Sequence, residues 1–101
     1  MNDETYIKIL KTYFSNKKNK SFEDKKEAGM AITDMLFYRD DLKDFEGYWG
    51  KSGKGSHAKD IFFSFERKSD ETKIKNMLVN YGFILQETKR GFWITGVKNE
   101  V

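Results

Sequence analysis

The stretch FILQETKRGFWITGV, residues 83–97, decides the fold of this chain. Apolar and polar residues alternate along its two halves, Phe83–Thr88 and Phe92–Val97, and a basic turn at residues 89–91 joins them. Alternation with a period of two predicts β-strands, and a short connection that contains glycine predicts a hairpin. We therefore expect residues 83–97 to form a two-stranded antiparallel hairpin.

The register of this hairpin decides which of its side chains are buried. Gly91 as the third loop residue favours a three-residue loop with a bulge, and that pairing mixes apolar and polar side chains on one face. Burial favours a register that gathers the apolar residues on one side, and a slip of one residue would turn every side chain over. We follow burial, so the residues expected on the covered side are Phe83, Leu85, Phe92 and Ile94.

A second strong strand is predicted upstream, over residues 60–66, DIFFSFE. Its apolar residues Ile61, Phe63 and Phe65 alternate with residues that point the other way. Before it, Phe45–Trp49 fits a short strand, and residues 50–57, rich in Gly and Lys, fit a flexible loop.

Three stretches have apolar residues at helical spacing and predict helices. These helices cover residues 3–17, 21–38 and 69–81. Ser21 and Ser69 are expected to cap the second and third helices, and Gly82 is expected to end the third.

The elements follow the order α-α-(β)-β-α-β-β and predict one α+β domain over residues 1–101, with helices on one face of a small, mainly antiparallel sheet. The aromatic content of 16% can supply its core. The face of the sheet without helices is then expected to carry Phe62, Ser64, Ile84, Gln86, Trp93 and Thr95.

Composition excludes several classes of protein. The chain has no cysteine, which excludes disulfides and thiolate metal sites. No stretch is long and apolar enough to cross a membrane, and Met1–Glu4 is polar and acidic, unlike a signal peptide. We therefore expect a cytoplasmic protein without a membrane partner. The net charge of +3 permits a polyanionic partner but does not require one.

The Gly/Lys loop and the residues after it form a basic segment. It contains Lys51, Lys54, His57 and Lys59 before the first acidic residue, Asp60. Lysines and backbone N–H groups in such a loop can contact phosphates. We count these four basic residues as candidate contacts to a partner.

No cofactor, metal or catalytic motif is complete. Residues 50–52, Gly-Lys-Ser, match the end of a nucleotide-binding phosphate loop, but Phe45 stands where that motif needs glycine. His57 is the only histidine, which leaves no Ser/His/Asp set, and the acidic residues over 40–46 lack the alternation of a calcium loop. We expect no cofactor, no metal and no enzymatic activity.

The fragment Gly55-Ser56-His57, directly before a strand, resembles the Gly-Ser-His of HicA-type toxin ribonucleases. In that family the histidine serves the RNA-cleaving reaction. The resemblance implies a small ribonuclease as one alternative, with His57 as its functional residue.

The segment from Ser69 to Gly96 runs helix, strand, basic turn, strand, and resembles the recognition helix and wing of winged-helix DNA-binding domains. The resemblance implies a regulator that binds DNA or RNA, with the helix in the major groove and the turn on backbone phosphates. The residues it implies are Lys73, Lys75, Asn76 and Asn80 on the helix and Lys89 and Arg90 in the turn.

Small size, a Lys- and Asn-rich composition and the lack of a catalytic motif resemble accessory proteins of phages and plasmids in low-GC bacteria. Anti-restriction and anti-CRISPR inhibitors belong to that group, and the resemblance implies a host protein that handles nucleic acid as the target. Our main interpretation is therefore a non-enzymatic binding protein. Its expected contact residues are Tyr48, Trp49, Lys51, Lys54, His57, Lys59, Lys89, Arg90 and Trp93.

Overall fold

The computed structural model describes residues 3–39, 45–48 and 57–98. Its elements are α1 (Asp3–Ser15), a 3-10 turn (Lys17–Asn19), α2 (Phe22–Phe37), β1 (Phe45–Tyr48), β2 (Ile61–Phe65), α3 (Lys68–Asn80), β3 (Phe83–Glu87) and β4 (Phe92–Val97). This is an α+β fold in the predicted order, and the short strand β1 is present. No helix in the described ranges has the length and apolar character needed to cross a membrane.

The four strands form one sheet in the order β1-β2-β4-β3, and every neighbouring pair is antiparallel. β2 and β4 occupy the centre, where Phe62 pairs with Trp93 and Phe63 with Phe92. The two strands of the C-terminal hairpin are therefore neighbours, while β4 also joins them to β2.

The helices pack against one face of this sheet: α1 contacts β4, and α3 contacts both β2 and β3. On that face Phe63, Phe92 and Ile94 have no exposed surface. Alternation along β4 puts Trp93 on the opposite side, between two fully buried residues.

The buried register predicted for the hairpin is confirmed. Leu85 pairs with Ile94, and Phe83, which is 1% exposed, pairs with Val97. The bulge that the loop length predicted next to the turn is absent from that position. A register shift lies instead between Ile84 and Leu85, within the strand.

The helix ends follow local hydrogen bonding. The hydroxyl of Ser21 accepts from the backbone N–H of Asp24, whose carboxylate accepts from the N–H of Ser21, so α2 begins with a capping box. Gly82 follows α3 with a φ of 99°, as predicted for its terminating glycine. α1 ends at Ser15, two residues before the predicted end.

The prediction that Ser69 caps α3 is wrong. The helix begins at Lys68, and its N-cap is Arg67. The guanidinium of Arg67 donates two hydrogen bonds to Asp70, at 2.9 and 3.0 Å, and Asp70 is only 2% exposed. A bidentate ion pair across the first turn replaces the expected hydroxyl cap.

Gly91 is required by close packing against β2. A Cβ atom at residue 91 would lie 2.1 Å from the carbonyl oxygen of Phe63, which is backbone and cannot turn away. A Cβ atom at Gly96, within β4, would meet only Ile84 at an ordinary 3.7 Å.

We expect Gly91→Ala to lower the free energy of unfolding by about 1–3 kcal/mol, because β4 must move away from β2 to admit the methyl group. Gly96→Ala is the matched control and should change stability by no more than about 0.5 kcal/mol. Urea unfolding followed by circular dichroism measures both. Equal stability of the two variants would show that the Phe63 carbonyl does not prevent a side chain at residue 91.

Candidate functional site

Trp93 lies on the side of the sheet that carries no helix. It is half-buried, and its ring contacts the ring of Phe62 on the neighbouring strand at 5.1 Å and 58°. We call the outward residues of β2, β3 and β4 the helix-free face. They are Phe62, Ser64, Ile84, Gln86, Trp93 and Thr95.

His57 stacks directly on Trp93. The two ring centroids are 4.4 Å apart, and the ring planes differ by 11°. Nδ1 of the imidazole lies 2.9 Å from a carboxylate oxygen of Asp60. The imidazole is therefore fixed by a ring stack on one side and by a carboxylate at one nitrogen.

Asp60 is the centre of a buried polar network. It is 2% exposed, and its second carboxylate oxygen accepts from the ammonium group of Lys17 at 2.5 Å. Lys17 also donates to the backbone carbonyl of Thr95 at 2.5 Å. The ammonium of Lys17 thus links the turn after α1 both to Asp60, directly before β2, and to Thr95 in β4.

Other polar side chains hold residues 57–60 against the helices. Tyr13 donates to the carbonyl of Lys59 at 2.6 Å, and Lys25 donates to the carbonyl of Ala58 at 2.9 Å. Burial, with a smaller effect of the Asp60 charge, raises the pKa of Tyr13 to about 12. Burial lowers the pKa of Lys25. The segment that carries His57 is therefore anchored to both N-terminal helices.

Lys89 and Arg90 form the hairpin tip. The Thr88 hydroxyl accepts from the backbone N–H groups of Arg90 and Gly91, at 3.2 and 3.1 Å, and so closes the turn. Both tip residues are exposed, and neither side chain has an ion-pair partner among the described residues. The tip therefore presents two cations to solvent near one end of the helix-free face.

The structure brings together only some of the residues expected at the site. His57 and Trp93 are in contact, and Trp93 lies near the start of β4, three residues after Arg90 of the hairpin tip. The ammonium of Lys59 instead donates to the carbonyl of Lys20, so it is held toward the helices. Tyr48 pairs with Phe62 through the backbone.

Several expected contact residues lie outside the described residues. These are Trp49, Lys51, Lys54 and the side chain of Tyr48, together with residues 50–56 of the loop predicted over 50–57.

Sequence reasoning missed Lys17 and Asp60 as parts of this site. Asp60 stands directly before a strand and three residues after His57, which is a weak local signal for a pair. Lys17 lies 43 residues before Asp60 in the chain, and only the packing of α1 on β4 brings the two side chains together.

The outward side of α3 carries most of the residues that the winged-helix resemblance implies. Lys73, Asn76 and Asn80 line a surface cavity of about 490 Å³ together with Met77 and Tyr81.

The fourth implied residue of α3, Lys75, is engaged within the molecule. Its ammonium is bonded to Glu87 and lies 3.7 Å from Glu71, and the bond to Glu87 lowers the pKa of that carboxyl. β2 leads directly into α3, with only Glu66 and Arg67 between them.

The chemistry available at His57 is that of an oriented imidazole. The Asp60 carboxylate at Nδ1 orients the ring, as the carboxylate of a catalytic triad does. A pair of this kind can equally serve to stabilise the folded chain. Within the described ranges no three His, Asp or Glu side chains form a group that could hold a metal ion. The ribonuclease alternative stays a prediction.

Comparison with protein-family models, with curated proteins and with solved structures gives no significant match.

Asp60→Asn should lower the free energy of unfolding by about 1–3 kcal/mol, because it removes a buried charge that accepts from Lys17 and contacts His57. Loss of the carboxylate should also loosen the His57 stack and make Trp93 more accessible to acrylamide in a Trp49→Phe background. The control is Asp34→Asn, an exposed carboxylate without an ion-pair partner among the described residues. Unchanged stability and quenching in Asp60→Asn would show that the network does not hold the site.

Proposed function

We propose that this chain is a small non-enzymatic binding protein of a phage or another mobile element. Its target would be a cytoplasmic host protein that handles nucleic acid, as for anti-CRISPR and anti-restriction inhibitors. The observation that carries the proposal is the position of Trp93, which lies outside the core on the helix-free face.

An aromatic residue at this position suits protein recognition. Trp93 and Phe62 offer a joined apolar surface, and tryptophan is enriched among the residues that dominate interface energies. The stack with His57 reduces the rotamer freedom of Trp93, so binding would cost less conformational entropy.

The hairpin tip adds a polar margin to this surface. Lys89 and Arg90 are exposed near one end of the helix-free face, where they could meet carboxylates of the partner. Charges at the rim of an interface mainly raise the association rate and fix the orientation of the partner. The aromatic pair would provide most of the affinity.

The test is affinity capture from a lysate of the host that carries the element, with and without nuclease treatment. We expect a protein partner whose capture survives nuclease and falls at least about tenfold for Trp93→Ala. Val79→Ala, on the exposed side of α3, is the control and should bind normally. Full capture by a folded Trp93→Ala variant would remove the helix-free face from the site.

A second candidate function is direct binding to DNA or RNA. It is favoured by the outward side of α3, where Lys73, Asn76 and Asn80 line one cavity, and by the cations of the hairpin tip. Lysine and arginine contacts to phosphates release counterions, so binding of this kind weakens steeply with salt.

If the second candidate is correct, log K for a duplex oligonucleotide should fall linearly with log salt concentration. Lys89→Glu with Arg90→Glu should reduce the slope by about 2, one unit for each cation that no longer meets a phosphate. Lys26→Glu, on the exposed side of α2, is a control for a change of charge alone. The absence of measurable binding at low salt would rule this function out.

A further inference from the structure

A solvent-facing groove runs between α1 and α2, on the side of the molecule opposite the helix-free face. Two surface cavities, of about 450 and 260 Å³, meet in it at Ile9 and Glu27. Tyr6, Ile9 and Ala31 give the larger cavity an apolar floor, and Met30 stands at its edge with 49% of its surface exposed. A groove with this lining could seat an apolar side chain.

The apolar surface continues beyond the cavity along α2. Phe37 lies seven residues after Met30 and therefore on the same side of the helix. Phe37 and its neighbour Tyr38 are each 74% exposed, and their rings are in edge contact at 5.7 Å. Large apolar side chains that remain clustered in water commonly mark a docking surface.

The larger cavity carries an excess of negative charge. Glu23, Glu27 and Asp34 line it together with one lysine, Lys26. None of the three carboxylates has an ion-pair partner among the described residues. Burial and, to a smaller extent, neighbours that include Asp34 raise the pKa of Tyr6 in the floor of this cavity.

The smaller cavity differs in charge. Its lining includes Lys8 and Lys20 beside Asp24 and Glu27, so its positive and negative groups balance. The acidic, apolar part of the groove is therefore confined to the end near Met30. We call this end, defined by Ile9, Glu23, Glu27, Met30, Asp34 and Phe37, the acidic groove.

We propose that the acidic groove docks a basic amphipathic helix of a partner protein. An apolar side chain of that helix would lie over Ile9 and Met30, and its lysines or arginines would lie beside the carboxylates. This site goes beyond the proposed function, because it uses the other side of the molecule from Trp93.

The charge of the acidic groove favours a basic helix over other occupants. Nucleic acids and anionic lipid surfaces would be repelled by unpaired carboxylates. A second copy bound about a two-fold axis would bring the same carboxylates of both copies together. A basic amphipathic helix would both cover the apolar side chains of the acidic groove and neutralise its carboxylates.

The probe for the test is a fluorescein-labelled 18-residue amphipathic peptide of leucine and lysine, titrated into the full chain and followed by anisotropy. A peptide with glutamate in place of lysine is its matched control. We expect the lysine peptide to bind, the glutamate peptide not to bind, and the methyl resonance of Met30 to shift on binding. Equal binding of both peptides, or an unmoved Met30 resonance, would overturn the proposal.

Substitutions in the acidic groove test where the lysine peptide binds. Met30→Ser should weaken binding of the lysine peptide about tenfold, whereas Val79→Ser, an equally exposed site on α3, should not. Asp34→Lys should weaken it about three- to tenfold more than Glu66→Lys, a charge reversal of the same size at an exposed residue on the sheet side. Trp93→Ala should leave peptide binding intact, which separates this site from the proposed function. Equal effects of Asp34→Lys and Glu66→Lys would show general charge attraction and would reject the groove.

Discussion

Phe63, Phe92 and Ile94 pack under the helices without any exposed surface, and this burial on one side of the sheet constrains the rest of the molecule. These residues stand on the two central strands, whose side chains alternate between the two faces. Burying Phe92 and Ile94 necessarily turns Trp93 outward. The position of the most prominent candidate contact residue is therefore a consequence of the core.

Asp60 is buried although it is a carboxylate, and it directly precedes the fully buried Ile61 at the start of β2. A buried carboxylate without partners would be strongly destabilising, and Lys17 and His57 provide those partners. The imidazole that pairs with Asp60 is thereby placed over Trp93, so core packing and the geometry of the candidate site are coupled.

The spacing of apolar residues predicted the helices and strands, because it reflects which side of each element is buried. Burial also predicted the hairpin register correctly at Leu85 and Ile94. It could not predict contacts that depend on how separate elements meet. Asp60 and Lys17 belong to this class, since nothing local marks a lysine after α1 as the partner of an acid before β2. The cap of α3 was missed for a related reason: Ser69 matches a general preference, while the ion pair between Arg67 and Asp70 depends on the geometry of that turn.

The distribution of charge fits the proposed protein partner better than a uniformly anionic one. Composition gives a net charge of +3, yet several lysines are held by contacts within the molecule, among them Lys17, Lys25, Lys59 and Lys75. The outward cations of the hairpin tip and the outward carboxylates of α2 lie on different sides of the domain. Nucleic acid could be attracted by only one of these surfaces, because the other would repel its phosphates. A protein presents acidic and basic patches together, so it can complement both surfaces, and that complementarity also excludes wrong partners.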